Sequence, residues 1–246
     1  MGYQCVDCVS AGARTIPTAT TIAGARPPSG RLVVVPLLIV VNVAAFVLTA
    51  VQAGSIVNNF LSPVFQDGAL YPDAVAVGEW WRLLTSGFLH AGNLFGYGPI
   101  HLLLNMAALW VLGRDLEPLL GPVRFAAVYL VSLLGGSAAV MLAGDGAVGA
   151  SGAIFGLFGG IAVVIIRQKL NPGPVLTLLA INIALSFVPG ISLLAHLGGL
   201  VVGALVTAVM VYAPKERRVP VQAGATVAVV AVLVAVVAFR AASLIG

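Results

Sequence analysis

Seven apolar stretches follow one another along most of this chain, and they constrain its fold more than any other feature. The sequence predicts membrane-spanning helices at 32–53, 100–113, 124–143, 151–166, 174–188, 191–212 and 219–239. Stretches of roughly 17–25 apolar residues cross a bilayer as helices. Because lipid offers no hydrogen bonds, each segment has to satisfy its own backbone groups. The predicted fold class is therefore all-α, a polytopic bundle of transmembrane helices.

The composition is typical of a membrane protein and argues against nucleic-acid binding. Of the 246 residues, 60% are hydrophobic and only 8% are charged, whereas a soluble domain carries roughly 25% charged residues. The 12 Lys and Arg residues are scattered between the apolar stretches and form no basic face, so no nucleic-acid partner is expected. The expected surroundings are membrane lipids.

The basic residues also predict the orientation. If the N-terminus is cytoplasmic, all Lys and Arg residues except Arg82 and Arg240 lie on the cytoplasmic side, as the positive-inside rule requires. This pattern predicts a multi-pass protein of the bacterial inner membrane with a cytoplasmic N-terminus. The polar but aromatic-rich segment 54–99 then lies on the outer face.

Residues 1–31 are expected to form a loose cytoplasmic tail that carries a CxxC pair, Cys5 and Cys8. Tetrahedral zinc needs four ligands, and these are the only cysteines, while the nearest histidine is His90. Two interpretations remain open: a vestige that binds no metal, or half of a zinc ribbon whose other ligands lie on a missing N-terminal piece. No bound metal and no cofactor are expected for the chain as given.

Polar residues within three of the predicted spans indicate a site inside the membrane. The second span carries His101 and Asn105 on one helical face, the fourth begins with Ser151, and the sixth carries His196. All three spans enter from the outer face in the predicted orientation, with these residues in their first turns. Polar groups at membrane depth are costly and usually functional, so we predict a water-filled cavity open to the outer face.

The fourth span is short and follows a glycine-rich loop, residues 144–150. At the usual helical rise, 151–166 extends about 24 Å, less than the ~30 Å of the hydrocarbon core. We therefore expect the loop to dip into the membrane and the helix to begin below the surface. Ser151 would then stand at a helix N-terminus, where free N–H groups favour a developing negative charge.

Each of these polar residues also has a purely structural interpretation. Small residues such as those of 149–152 are common at helix contacts in membranes. A buried histidine can simply bond a backbone carbonyl, and Asn105 can join two helices. The structural interpretation weakens because it has to hold for every one of these side chains at once, at matched depth on one side.

In their order along the chain, these motifs resemble those of the rhomboid intramembrane serine proteases. The matching features are Trp81-Arg82, His101-Leu-Leu-Leu-Asn105, Gly149-Ala-Ser151-Gly152, and Ala195-His196-Leu-Gly-Gly199 with Gly203. The resemblance covers residues 32–240, which it identifies as a rhomboid-like protease domain of a bacterial, actinobacterial-like type. It implies a core of six helices and a C-terminal seventh helix.

The resemblance implies serine proteolysis by a dyad that lacks an acidic partner. Ser151 would be the nucleophile and His196 the general base. His101 and Asn105, with the backbone N–H of Ser151, would form the oxyanion hole. The implied substrates are single-span transmembrane proteins.

Seven further residues would support this site without taking part in the chemistry. The resemblance implies that Phe155 packs against the His196 ring and that Gly199 and Gly203 let the sixth helix approach the fourth closely. Trp81 and Arg82 would brace the outer loop. The other two are Gly149 and Gly152, which flank the nucleophile.

One departure from the family pattern is an apparent insertion at 93–98, between His90 and His101. It would change the geometry of substrate entry and leave the dyad intact. Two alternatives remain: a catalytically inactive rhomboid-like protein that binds membrane clients, and a small transporter. Inactive relatives usually lack the serine or the histidine, and a transporter would carry paired membrane carboxylates or internal repeats, which this sequence lacks.

Overall fold

A computed structural model describes residues 5–15, 20–25, 31–93 and 99–246 of the chain. Its α-helices are α1 (Val6–Thr15), α2 (Val34–Ala53), α3 (Pro63–Gly68), α4 (Pro72–Ala76), α5 (Arg82–Thr85), α6 (Ile100–Leu120), α7 (Pro122–Ala143), α8 (Ser151–Gln168), α9 (Gly173–Leu185), α10 (Leu193–Tyr212) and α11 (Arg218–Ile245). Within the described ranges, strand-like pairing is limited to one isolated bridge between Leu70 and Ala147. The predicted all-α fold class is confirmed.

Each of the seven predicted spans coincides with one helix, α2 or one of α6 to α11. Five of these helices are long and apolar enough to cross a membrane, namely α2, α7, α8, α10 and α11. The other two helices do not meet this criterion of length and hydropathy, for local reasons. Helix α6 carries Arg114, Asp115 and Glu117 near its end, and α9 has only 13 residues. The molecule is a multi-pass membrane protein.

The N-terminal tail is more ordered than the sequence predicts. Residues Val6–Thr15 form α1, so the expectation of a loose tail is wrong there. A second piece docks on the bundle: Ala23 is fully buried, and its carbonyl accepts a hydrogen bond of 3.0 Å from the Gln222 side chain of α11. The backbone of residues 20–25 thus gains partners that hydrophobic periodicity cannot reveal.

The centre of the bundle is α8, which packs against α6, α7, α9 and α10. Its contact with α10 depends on glycine. A Cβ on Gly199 would collide with the backbone carbonyl oxygen of Gly152, and one on Gly203 would collide with the backbone of Gly156. In a membrane, small residues of this kind let helix backbones approach each other closely. The close approach of these two helices sets the spacing of the residues in their first turns.

A buried carboxylate joins α6 to the start of α2. Glu117 is 3% exposed, and its two oxygens accept hydrogen bonds from the backbone N–H groups of Val33, Val34 and Val35, at 2.7, 3.0 and 2.9 Å. These are donors that a helix cannot satisfy internally at its N-terminus. The N-cap residue of α2, Val33, provides no side-chain hydrogen bond, so Glu117 caps this helix from α6.

Helices α9 and α11 lie at the periphery. None of the residues of α9 is buried, and the 28-residue α11 buries only Gln222, Val237 and Ala241. The segment 54–99 is predicted to be a polar loop, and its described residues 54–93 contain short helices. These residues dock on the bundle end at which α6, α8 and α10 begin, which we call the Ser151 end.

Candidate active site

A cavity of about 450 Å³ opens inside the bundle at the Ser151 end. It is lined by the first turns of α6, α8 and α10, by the middle of α7 and by the last turn of α9. Its polar lining comprises Ser86, His101, Asn105, Ser137, Ser151, Asn182, Ser186, Ser192 and His196. The structure therefore brings together the four polar residues that the sequence places at matched depth on three separate helices.

Ser151 is the first residue of α8, as the sequence predicts. The preceding Ala150 is the N-cap and provides no side-chain hydrogen bond, so the first N–H groups of the helix have no side-chain cap. Gly149 has a positive φ of 123°, a conformation that favours glycine. A Cβ on Gly149 would also lie 3.0 Å from the His101 ring. Both the backbone and the neighbouring histidine thus require glycine before Ser151.

Two backbone contacts hold the loop that leads to Ser151. Leu70 and Ala147 exchange a pair of backbone hydrogen bonds of 3.2 and 3.1 Å, and Gly149 N–H donates to the Ser86 carbonyl at 2.9 Å. The docked segment therefore positions the loop through Leu70 and Ser86, which lie outside the helical bundle. This arrangement accounts for irregular backbone at the end of a membrane bundle, because its polar groups are satisfied by protein.

The His196 ring is held from two directions. Phe155, one turn after Ser151 on α8, stacks on it with a centroid distance of 4.0 Å and an interplanar angle of 9°. The Ser186 hydroxyl, just beyond α9, lies 2.6 Å from Nδ1. His196 is 5% exposed, and with Nδ1 occupied the other ring nitrogen, Nε2, is the one free for chemistry. His196 lines the same cavity as Ser151.

The Ser151 and His196 side chains share the cavity, but no hydrogen bond joins them in the described part of the chain. Catalytic hydrogen bonds are often long or misaligned without substrate and tighten when it binds. The opposite wall holds His101 and Asn105, where the Asn105 amide donates to the His101 carbonyl at 2.8 Å. A primary amide has two donor hydrogens, so one remains for a ligand.

Comparison with known proteins identifies the family. Residues 77–213 match the rhomboid domain family model. This chain belongs to the rhomboid family. It is 33% identical to RHOMBOID-like protein 4 of Arabidopsis thaliana over 73% of this chain and 53% of that protein. It is 40% identical to the putative rhomboid protease YdcA of Bacillus subtilis over 60% of this chain and 75% of YdcA.

Rhomboid protease GluP of Bacillus subtilis is 33% identical, over 68% of this chain and 32% of GluP. The chain thus spans about half the length of the Arabidopsis relative and a third of GluP. All the site residues named from the sequence, from Trp81 to Gly203, lie within the matched 77–213 region.

Trp81 and Arg82 hold the docked segment 54–93 of this rhomboid together. The Trp81 indole N–H donates to the Asp67 carbonyl at 2.9 Å. Arg82 is 6% exposed and donates to the carbonyls of Gln66 and Ala69 at 2.6 and 2.7 Å, besides pairing with Glu79. These contacts lie within the docked segment, and neither Trp81 nor Arg82 lines the 450 Å³ cavity, so both residues contribute to structure.

The CxxC pair is exposed, and both thiols are free. Hydrogen bonds from the backbone and side chain of Cys8 lower the pKa of the Cys5 thiol. The described ranges contain no group of three or more His, Cys, Asp or Glu residues that could hold a metal ion. Of the apparent insertion at 93–98, all residues but Asn93 lie outside the described part of the chain.

Two residues near the site are missing from the sequence-based prediction. Ser186 follows the short fifth span, in which the sequence predicts no residue of the site. Its position one helical turn after Asn182 is the signal that could have indicated it. His90 is fully buried, and its ring lies 5.0 Å from that of His101. Burial and, to a lesser extent, the nearby His101 keep the pKa of His90 well below its ordinary value.

Proposed function

We propose that this rhomboid is an intramembrane serine endopeptidase that cleaves transmembrane helices with a dyad of Ser151 and His196. The observation that carries the proposal is the single cavity inside the bundle that both side chains line, with Ser151 at an uncapped helix start. The relatives from Bacillus subtilis, whose names include the term rhomboid protease, support the same activity. The proposed protease domain is 32–240, preceded by a tail at 1–31.

The first step is attack by Ser151. A serine hydroxyl is a weak nucleophile until a base takes its proton. In the proposed mechanism, His196 Nε2 accepts that proton while Oγ forms a bond to the carbonyl carbon of the scissile peptide. The Phe155 ring, stacked on the imidazole, keeps it in the plane required for this transfer. The product is a tetrahedral intermediate that carries a negative charge on the former carbonyl oxygen.

Donors on two sides of the cavity would stabilise this oxyanion. The backbone N–H of Ser151 belongs to the uncapped first turn of α8, and the positive end of the helix dipole adds to its effect. The free amide hydrogen of Asn105 and the His101 ring would supply the side-chain donors from α6. Removing one donor of such a site typically raises the barrier by about 2.7–4 kcal/mol.

Collapse of the intermediate completes the cycle. The imidazolium of His196 gives its proton to the leaving amine, and the peptide C–N bond breaks, leaving an ester on Ser151. Water then attacks this ester with His196 again as the base, which frees the new carboxyl terminus and restores the hydroxyl. A second cavity of about 540 Å³ shares His101, Gly190 and Ser192 with the first, and it offers water a route from the Ser151 end.

The proposed substrates are single-span transmembrane proteins. A helical substrate hides its peptide carbonyls in its own hydrogen bonds, so cleavage requires a segment that unwinds easily, rich in helix-breaking and small residues. The proposed location is the bacterial inner membrane, with the N-terminus in the cytoplasm and the Ser151 end facing outwards.

A purified, reconstituted protein tests the proposal. The full chain in lipid vesicles should cleave a single-span substrate of this kind, and a fluorophosphonate probe should label it. Ser151→Ala should abolish both signals, and His196→Ala should abolish cleavage, while both variants stay folded. Ser243→Ala is the control, because Ser243 is exposed on α11 and, among the described residues, its hydroxyl bonds only Arg240, so this variant should retain full activity.

Retained cleavage in Ser151→Ala or His196→Ala would refute the dyad. Absence of cleavage and labelling in the unmodified protein, together with binding of a transmembrane client, would favour an inactive rhomboid-like protein instead. Because the proposed chemistry needs no metal, a chelator should leave the rate unchanged, and inhibition would assign a metal-dependent role to the cysteine pair or to a histidine.

A further inference from the structure

The Ser186–His196 contact is the best-defined polar contact in the cavity that the dyad does not explain. Ser186 is 3% exposed, although it follows α9, a helix with no buried residues. Its Oγ lies 2.6 Å from His196 Nδ1 and 2.8 Å from the Asn182 carbonyl oxygen. A buried hydroxyl is therefore shared between a backbone acceptor and the imidazole.

The direction in which the Ser186 hydroxyl donates decides which ring nitrogen carries the proton. In the structure the Ser186 hydroxyl is placed to donate to the Asn182 carbonyl at 2.8 Å, and that carbonyl can only accept. The Ser186 oxygen then has only lone pairs to offer to Nδ1, and Nδ1 must be the donor. In a neutral imidazole, a proton on Nδ1 leaves Nε2 unprotonated. That is the nitrogen which must be free to take a proton from Ser151.

From this geometry we propose that Ser186 is a positioning residue, which keeps His196 in the tautomer whose Nε2 can act as a base. The inference rests on the proposed proteolytic function. Stacking on Phe155 restrains the tilt of the ring, but it does not decide which nitrogen faces the cavity. The hydrogen bond from Nδ1 to Ser186 fixes rotation within the ring plane, so the two contacts are complementary.

The same bond serves both halves of the reaction. When Nε2 gains the Ser151 proton, Nδ1 still carries its own hydrogen and continues to donate to Ser186. No partner has to reorient during proton transfer, which is the advantage of a preorganised site. Ser186 thus takes the place that a buried carboxylate holds in a serine triad. It stabilises the imidazolium less than a carboxylate does, because it is neutral.

The test compares variants of Ser186 in the full chain, reconstituted in lipid vesicles. Ser186→Ala should lower kcat by about 2- to 10-fold, the effect expected for one neutral hydrogen bond, with KM unchanged. Labelling of Ser151 by a fluorophosphonate should slow by a similar factor, because the small probe needs the base but no docked helix. Ser186→Thr, which restores a hydroxyl, should recover most of the loss.

Ser132→Ala provides a matched control. The Ser132 hydroxyl is fully buried and donates to the carbonyl four residues earlier, Val128, at 2.6 Å, just as Ser186 donates to Asn182. It does not line the cavity, so the variant should keep its kcat and its labelling rate. If Ser186→Ala does not fold, Ser186→Cys replaces it. The thiol preserves the volume but accepts hydrogen bonds weakly, so it should be slower than Ser186→Thr.

Three outcomes would overturn the inference. An unchanged kcat in folded Ser186→Ala removes any positioning role. A raised KM with normal probe labelling shows that Ser186 only anchors α9. Equal losses in Ser186→Ala and Ser132→Ala show that the loss of any buried hydroxyl has this effect. Failure of the proposed function gives a different result, in which the unmodified protein does not cleave or Ser151→Ala remains active. If only the role of Ser186 is wrong, the unmodified protein cleaves, Ser151→Ala is inactive and Ser186→Ala is normal.

Discussion

At the scale of single residues, the site depends on side chains that restrain other side chains. Ser151 owes its position to Gly149, whose positive φ and contact with His101 exclude any larger residue. His196 owes its orientation to Phe155 and Ser186. The proposed dyad lacks the carboxylate that usually orients the imidazole, and in this chain an aromatic face and a neutral hydroxyl contact the ring.

The Phe155 contact can be tested separately from general packing. Phe155→Leu removes the ring stacked on His196, so kcat should fall by about 10-fold if the stack is worth roughly 1 kcal/mol or slightly more. Phe158→Leu is the matched control. Phe158 is 1% exposed and contacts the edge of Phe155, so this variant should lose similar stability and keep its kcat. Equal kcat in the two folded variants, measured on a transmembrane substrate, would exclude an orienting role.

The oxyanion role of Asn105 is also open to measurement. Asn105→Ala should lower kcat on the order of 10²-fold, with KM little changed, since an oxyanion donor acts in the transition state. Asn42→Ala removes an amide that makes the same bond to the carbonyl four residues earlier, at 2.7 Å, but on α2. Asn42→Ala should lower the stability of the protein and leave kcat unchanged. An unchanged turnover rate in Asn105→Ala would assign Asn105 to structure.

At the scale of helices, buried polar groups and glycines decide how the elements fit. Glu117→Ala should lower the free energy of unfolding by about 3 kcal/mol or more, because it leaves buried N–H donors of α2 without their charged acceptor. Glu117→Gln keeps one acceptor oxygen and should lose less. Asp115→Ala is the control, since that side chain is 67% exposed and its pairing with Arg114 is long, at 3.8 Å. Thermal unfolding in detergent would rank the three, and equal midpoints would refute the cap.

The α8–α10 contact predicts opposite effects for two glycines. Gly199→Ala forces a methyl group against the Gly152 carbonyl, and overpacking of this kind typically destabilises by about 1–3 kcal/mol. Gly224→Ala, on α11, has nothing within 4 Å of the new Cβ and should stabilise by up to about 1 kcal/mol through helix propensity. An unchanged or raised unfolding midpoint in Gly199→Ala would contradict the close approach.

Hydrophobic periodicity and length predict the helices of this fold well. All seven predicted spans are helical, and α8 begins at the predicted residue, Ser151. The sequence does not predict α1, which is short and exposed, nor the docking of Ala23, because a backbone carbonyl that finds a partner on α11 leaves no local pattern. Ser186 is missed for a similar reason: its importance arises from a contact between two helix ends, and a lone serine near a loop carries no distinctive signal.

At the scale of the whole molecule, charge separates the two ends of the bundle. Arg82 lies in the segment docked at the Ser151 end, and Arg240 donates to the Met141 carbonyl there at 3.2 Å. The opposite end holds the basic residues at the starts of α7 and α11 and near the ends of α6 and α8, including Arg124, which bonds Gln222 at 2.8 Å. By the positive-inside rule, this distribution supports the proposed orientation with the Ser151 end outside.

That orientation can be measured with the two native cysteines. Cys5 and Cys8 are exposed and, in the proposed orientation, cytoplasmic. A membrane-impermeant maleimide should therefore not label them in spheroplasts whose inner membrane is intact. Permeabilisation should expose both. A variant with Cys5→Ser, Cys8→Ser and Val77→Cys carries one thiol on the docked segment, where Val77 is 75% exposed, and it should label without permeabilisation. The reverse pattern would place the Ser151 end in the cytoplasm, and substrates would then have to be cleaved near their cytoplasmic ends.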